Sequence, residues 1–149
     1  MIKLVHGDLF ESGAQVLVNA VNTDGVMGKG IALQFRKRFP LMFAVYRATC
    51  QRGELAPGGV HIYELVSPLS PQYIVNLATK GSWRKQSDIR WIRLGLEKLA
   101  AWVEEKRIAT IAIPALGCGN GELQWQDVLP VIVDTLKNTS ADILVYQPH

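Results

Sequence analysis

Cysteine is scarce in this chain. Cys50 and Cys118 are the two among 149 residues, they stand far apart, and they form no CxxC pair. That pattern reads as free thiols in a reducing cytoplasm rather than a disulfide framework. Histidine is scarce as well: His6, His61 and His149 show no metal-ligand spacing, so neither a structural nor a catalytic metal is expected. No apolar run is long enough to span a bilayer, and Met1–Asp8 does not read as a signal peptide, so no membrane partner is expected. Charge of one sign is nearly absent as a bias. Sixteen Lys and Arg stand against thirteen Asp and Glu, a net charge of +3, which leans mildly toward anionic partners and fits a slightly basic soluble enzyme equally well. Linkers, low-complexity segments and internal repeats are missing too.

What is present is a sequence 48% hydrophobic, the size of one ordinary domain with a substantial core. Strands and helices alternate along it. Ile2–His6 reads as a first strand and Gln15–Asn19 as a second, apolar enough to lie centrally in a sheet. Ile31, Phe35 and Phe39 repeat at helical spacing up to Pro40, and Met42, Val45, Tyr46 and Thr49 predict another helix ending near Gly53. Val60–Val66 alternates as a third strand toward a sheet edge, and Tyr73–Ala78 forms a fourth. The longest helix follows, capped by Ser87 and burying Ile89, Ile92, Leu96, Leu99 and Val103. Ile108–Ile113 is a fifth, buried strand. The last helix carries Val128, Leu129, Ile132, Val133 and Leu136, with Pro130 expected in its first turn, where a missing N–H costs little. Asp142–Tyr146 is the sixth strand. The pattern predicts one α/β/α domain over residues 1–149 with a mixed, mostly parallel six-stranded sheet.

Three predicted strand ends collect unusual residues: Asn19 and Asn22 with Gly25, Gly28 and Gly30; Thr79-Lys80-Gly81; and Gly117-Cys118-Gly119-Asn120-Gly121. In open α/β sheets ligands sit beyond the carboxyl ends of the strands. Glycine lets a backbone approach a ligand closely, and a helix start such as the one at Ile31 offers free N–H groups to an anion. The first loop lacks the Gly-Lys-Ser/Thr ending of an ATP-type loop and the spacing of a dinucleotide fingerprint. Two facing backbone cradles suit a diphosphate; tight turns alone are the bland alternative. Asn19 reads as structural, bonding buried backbone near its strand end.

The combination Gly7-Asp8-Leu9, Val18-Asn19-Ala20-Val21-Asn22, Gly28-Lys29-Gly30-Ile31-Ala32 and Pro114-Ala115-Leu116-Gly117-Cys118-Gly119 resembles the macrodomain family of ADP-ribose-binding modules, over essentially the whole chain. Val26-Met27-Gly28-Lys29-Gly30, Ala78-Thr79-Lys80 and Leu123-Gln124-Trp125 resemble the branch that holds the terminal ADP-ribose protein glycohydrolase and the antitoxin macrodomain of the DarT–DarG system. The resemblance implies ADP-ribose as ligand and no cofactor. It implies that Asp8 accepts a hydrogen bond from the adenine amino group beside the Leu9 backbone, and that Asn22 meets the distal ribose. It makes Gly28, Lys29 and Gly30 the first phosphate loop and counts Thr79, at the fourth strand end, among the ligand-binding residues. It wraps Gly117, Cys118, Gly119 and Asn120 around the diphosphate and distal ribose. Asp8 is also a natural N-cap for a short turn at Leu9–Ser12.

Lys80 matches the catalytic lysine of that branch. A solvated lysine is protonated and a poor nucleophile at neutral pH. Desolvation, with Lys29 or Arg84 nearby, would lower its pKa and free an amine able to attack C1″ of the distal ribose or trap the ring-opened aldehyde as a Schiff base. A surface lysine is the ordinary alternative. The protein-directed glycohydrolase carries a catalytic aspartate where this chain has Gly121; Glu122 is adjacent but is expected to point elsewhere. The resemblance therefore favours the DNA-directed branch: release of ADP-ribose from ADP-ribosylated thymidine in single-stranded DNA, as antitoxin to a DNA ADP-ribosyltransferase toxin. The alternatives are a non-catalytic ADP-ribose reader and a hydrolase of protein-linked or small-molecule adducts. Trp83, Arg84 and Lys85 follow Lys80, with Arg90 and Arg93 beyond. An aromatic able to stack on a base and cations able to meet phosphates suit DNA; a solvated rim with Trp83 packed on the helix is the alternative. Cys118 has no base beside it in sequence and reads as a small residue in a crowded loop rather than a nucleophile.

Overall fold

The computed structural model describes residues 1–148; His149 lies outside the described residues. Six strands form one sheet: β1 (Ile2–Val5), β2 (Val16–Val21), β3 (Val60–Glu64), β4 (Tyr73–Ala78), β5 (Thr110–Ile113) and β6 (Asp142–Tyr146). Their spatial order is β1-β6-β5-β2-β4-β3. Every neighbouring pair is parallel except β3 with β4, so the antiparallel strand sits at an edge, as its alternating sequence predicts. Four α-helices pack on it: α1 (Gly30–Arg38), α2 (Pro40–Gln51), α3 (Ile89–Lys106) and α4 (Trp125–Leu136). A 3-10 turn, Leu9–Glu11, follows β1 and is N-capped by Asp8, whose carboxylate accepts from Phe10 N.

Alternation along the strands separates two cores. Val16 and Val18 of β2, Val75 and Leu77 of β4 and Ile111 and Ile113 of β5 face α3 and α4. Leu17 and Val21, Ile74 and Ala78, and Ala112 face the other way, against Phe35 of α1 and Met42 and Tyr46 of α2. The result is a three-layer α/β/α arrangement. Each fully buried Leu, Ile or Val contributes about 1.5–3 kcal/mol relative to exposure, which makes this two-sided burial the main force holding the sheet. Gly95 shows how close α3 lies to β4: a Cβ there would stand 2.6 Å from Leu77 Cγ. Among the described residues no helix is long and apolar enough to cross a membrane.

Four local expectations are corrected. Asp88, not Ser87, caps α3, because its side chain accepts from Arg90 N. Ser87 is buried and committed elsewhere: its N–H donates to Gly121 O at 3.1 Å and its hydroxyl pairs with Thr79 Oγ1 at 3.0 Å. Pro130 lies inside α4 rather than in its first turn. Both Pro130 and Gln126, whose carbonyl the proline cannot serve, are exposed, so water can serve that carbonyl while Val128, Val131, Ile132 and Leu136 hold the helix down. Val131 therefore replaces Val133 in the buried stripe, and Val133 is exposed. Ile89 sits at the first turn of α3 and is half-buried.

Candidate active site

Because β2, β4 and β5 run parallel, their carboxyl ends lie side by side, and each opens into one of the three unusual segments. Together these segments line one cleft of about 1420 Å3. Asp8, Leu9, Asn22, Gly28, Lys29, Gly30, Thr79, Lys80, Trp83, Arg84, Lys85, Gly117, Cys118, Gly119 and Asn120 all lie on its walls. The residues singled out from sequence are thus brought to one place.

The first wall is built by side-chain bonds. Asn22 is 6% exposed, and its Oδ1 accepts from the N–H of Asp24 at 3.0 Å and of Val26 at 3.3 Å, while Nδ2 donates to Val26 O at 2.8 Å. From below, the Tyr46 hydroxyl lies 2.7 Å from Asn22 O and 3.0 Å from its Oδ1. Burial pushes the Tyr46 phenol far above its ordinary range, so it remains a donor. Met27 is fully buried and plugs the loop into the core. α1 then starts with Lys29 at the N-cap and no side-chain cap, and Gly30, Ile31 and Ala32 line the cleft. Asn19, fully buried, donates to Asn76 Oδ1 at 3.0 Å across the β2–β4 register and lies 3.8 Å from Met27 Sδ. It is structural, but through a side chain rather than through backbone.

The second wall depends on missing side chains. Gly117 adopts φ +72°, where a residue with a Cβ is strained, and an added Cβ would also meet Ile92 and Leu123 at 2.9 Å. At Gly121 a Cβ would collide with Ser87 Oγ and would lie 2.5 Å from Gly117 O. Gly119, by contrast, has open space around it. A Cβ on Gly30 would lie 3.0 Å from Asn120 Nδ2, so the two walls nearly meet there.

Lys80 stands between them. Its segment is tied to the first wall by Thr23 N and Oγ1, which donate to Gly81 O at 2.8 and 3.1 Å, and by Trp83 N, which donates to Asp24 Oδ2 at 3.1 Å. The other end is closed by Asp88 N donating to Thr79 O at 3.0 Å. The amine Nζ lies 3.5 Å from Trp83 O. Burial pulls the Lys80 pKa below the ordinary lysine value; Lys29 adds to that, and the Glu122 carboxylate opposes it.

The cleft thus lies between two glycine-bearing walls, with the partly buried Lys80 on the segment that joins them. The family model of the Macro domain matches residues 18–132. The chain belongs to the macrodomain family. A Thermus aquaticus protein named DNA ADP-ribosyl glycohydrolase is 40% identical to this macrodomain over 99% of the chain. The chain spans only 41% of that relative's length. The solved macrodomain of Mycobacterium tuberculosis DarG superposes with a TM-score of 0.97 at 41% identity, covering 100% of this chain and 99% of that one. Thermosipho africanus DarTG, solved in complex with ADP-ribose, matches with a TM-score of 0.92 at 33% identity, over 99% of this chain and 41% of that one.

Some details of this macrodomain's site differ from the sequence expectation. Arg84 is not among the groups that shift Lys80; its guanidinium lies 5.0 Å from the centre of the Trp83 ring instead. Trp83 is 44% exposed at the rim, not packed away on α3. Arg90 pairs with Asp88 at 2.6 Å and Arg93 with Asp134 at 2.9 Å, and neither lines the cleft. Glu122 does not point away: it lines the cleft and its charge acts on Lys80. Cys118 is half-buried, its thiol points to Leu116 O at 3.5 Å, and burial pushes its pKa up, which suits a packing role. Asp8 keeps its cap role and lies 4.0 Å from Arg38, yet still lines the cleft. Asp24, Gln86 and the hydroxyl of Tyr46 are features that sequence reading passes over; a tyrosine one turn before Cys50 in an apolar helix carries no signal of a buried bond to a loop. Among the described residues no group of His, Cys, Asp and Glu is placed to hold a metal ion.

Proposed function

We propose that this macrodomain binds ADP-ribose and hydrolyses it from ADP-ribosylated thymidine in single-stranded DNA, with Lys80 as the catalytic group. The observation that carries the reading is the position of Lys80, fixed by backbone bonds at the junction of three loops and depressed in pKa by burial. A lysine there holds a larger share of free amine at neutral pH than a solvated one, which suits attack at the anomeric carbon or capture of the opened sugar. In this reading Asp8 and Leu9 take the adenine, Gly28, Lys29 and Gly30 face the diphosphate with Gly117, Cys118, Gly119 and Asn120 opposite, and Asn22 and Thr79 frame the distal ribose. A side chain at Gly121 would collide with Ser87 and Gly117, so the catalytic aspartate of the protein-directed branch has no counterpart at that position.

Relatives named DNA ADP-ribosyl glycohydrolase support the DNA substrate, and a DNA ADP-ribosyltransferase toxin is the partner whose modification this activity reverses. Trp83, exposed at the rim beside Arg84 and Lys85, is the platform for a base next to the modified thymidine. The test is a competition: single-stranded DNA carrying ADP-ribosyl-thymidine and a protein carrying ADP-ribosyl-glutamate, presented together and followed by mass spectrometry. The DNA adduct is expected to clear first; preferential clearance of the protein ester contradicts the assignment.

A further inference from the structure

The turn between Lys80 and α3 carries the lysine at its start and the Trp83 indole at the rim. Inside it, Arg84 N donates to Ser82 Oγ at 3.2 Å and Lys85 N to Ser82 O at 3.1 Å. Those bonds shape the turn without fastening it to the rest of the molecule. Gly81 is fastened: Thr23 N and Oγ1 both donate to its carbonyl, and Pro57 Cγ lies 3.5 Å from where its Cβ would stand. Among the described residues, two side chains from other parts of the chain bond to residues 82–86. Glu122 accepts from Gln86 Nε2 at 2.8 Å, which joins two exposed side chains. Asp24 Oδ2 accepts from Trp83 N at 3.1 Å, which grips the backbone itself. A bond to backbone fixes where the residue goes, and Trp83 O is the group that Lys80 Nζ meets, at 3.5 Å.

Asp24 is placed in turn by the first wall. Its N–H donates to Asn22 Oδ1 at 3.0 Å, the same atom that lies 3.0 Å from the Tyr46 hydroxyl. Gly25 follows at φ +85°, with Arg47 and Cys50 of α2 packed where a Cβ would stand. Its carboxylate is exposed and, among the described residues, forms no ion pair. A chain of hydrogen bonds therefore leads from buried Tyr46 to Asn22, to Asp24, to Trp83 and to the amine of Lys80.

We propose that Asp24 is a positioning residue for Lys80, acting through Trp83: its carboxylate holds the Trp83 backbone, which presents a carbonyl to the amine and the indole to the rim. The proposal rests on the catalytic reading of Lys80 given above. In that reading Asn22 frames the distal ribose, so Asp24 sets the lysine relative to the sugar it attacks. Arg84 cannot take this part, because it stacks on Trp83 from within the turn and moves with it. The bond needs an oxygen acceptor at position 24 and not its charge.

The experiment is single-turnover cleavage of single-stranded DNA carrying ADP-ribosyl-thymidine at saturating protein. Free ADP-ribose affinity by calorimetry and hydrogen exchange of the Trp83 N–H by NMR are measured on the same preparations. In Asp24→Ala the cleavage rate is expected to fall roughly tenfold, as a misplaced reacting group demands. ADP-ribose affinity should stay within about twofold of the wild type, which also shows that the variant is folded. The Trp83 N–H should exchange roughly tenfold faster. Asp24→Asn keeps an acceptor and should restore both the cleavage rate and the slow exchange. A cleavage rate in Asp24→Ala within about twofold of the wild type overturns the proposal. So does a loss of ADP-ribose affinity that parallels the loss of rate, or failure of Asp24→Asn to restore cleavage. Exchange needs neither ligand nor turnover: an unchanged Trp83 N–H in Asp24→Ala overturns the proposal and leaves the assignment of Lys80 standing. Normal cleavage by Lys80→Ala overturns that assignment, and the proposal with it, whatever the exchange rate.

Discussion

Between Asn22 and Gly30 the cleft is walled by side chains that bond: the Asn22 amide ties Asp24 and Val26 together, Tyr46 holds Asn22 from beneath, and Met27 anchors the loop in the core. Between Gly117 and Gly121 the wall exists because side chains are missing, so that the backbone folds onto Ser87 and onto itself. One wall is vulnerable to losing polar atoms and the other to gaining carbon. Both walls line the same cleft. Lys80 is tied to each wall, and its geometry depends on both.

That contrast can be broken from either side. Gly121→Ala is expected to be the most damaging single change, since the new methyl has no place to go: about 3 kcal/mol of stability lost, a Tm lower by roughly 6–12 °C, and loss of ADP-ribose binding by calorimetry. On the first wall, Asn22→Ala leaves the N–H groups of Asp24 and Val26 and the Val26 carbonyl without their side-chain partner, while Tyr46 keeps the Asn22 backbone carbonyl. About 2 kcal/mol is the expected cost in denaturant unfolding, with ADP-ribose affinity roughly tenfold weaker. Tyr46→Phe removes one bond from below the loop and should cost about 1 kcal/mol, with a smaller loss of affinity. Gly28→Ala and Gly119→Ala sharpen the comparison. Neither position has a positive φ; the first would meet nothing closer than Val26 Cγ1 at 3.6 Å, and the second nothing within 4 Å. Stability should stay within about 0.5 kcal/mol of the wild type, so a fall in ADP-ribose affinity would report contact with the ligand itself. Unchanged affinity in both variants would mean that the diphosphate does not approach these glycines.

Much of this was legible along the chain. Strands with strict alternation or continuous apolar runs, such as Tyr73–Ala78 and Asp142–Tyr146, fall where their patterns place them. The glycine loops could be located because glycine clusters after apolar strands, and the sheet then had to bring them together. What escaped was set by tertiary bonds. Ser87 and Asp88 are both good caps, and the choice fell to Asp88 once Thr79 and Gly121 had claimed Ser87. The pairing of Arg90 and Arg93 with nearby acids depends on which helix faces are adjacent. The place of Glu122 escaped because a left-handed glutamate has no sequence signal; the closure of the loop around Gly121 sets its carboxylate on the cleft wall, against Gln86.

The central claim is that the walls hold ADP-ribose and Lys80 acts on it. Incubation of wild type and Lys80→Ala with single-stranded DNA carrying ADP-ribosyl-thymidine, with ADP-ribose binding measured on the same preparations, tests it directly. Lys80→Ala is expected still to bind ADP-ribose and to release it from DNA roughly a hundredfold more slowly or worse. Equal release by both proteins, or by neither, would contradict it.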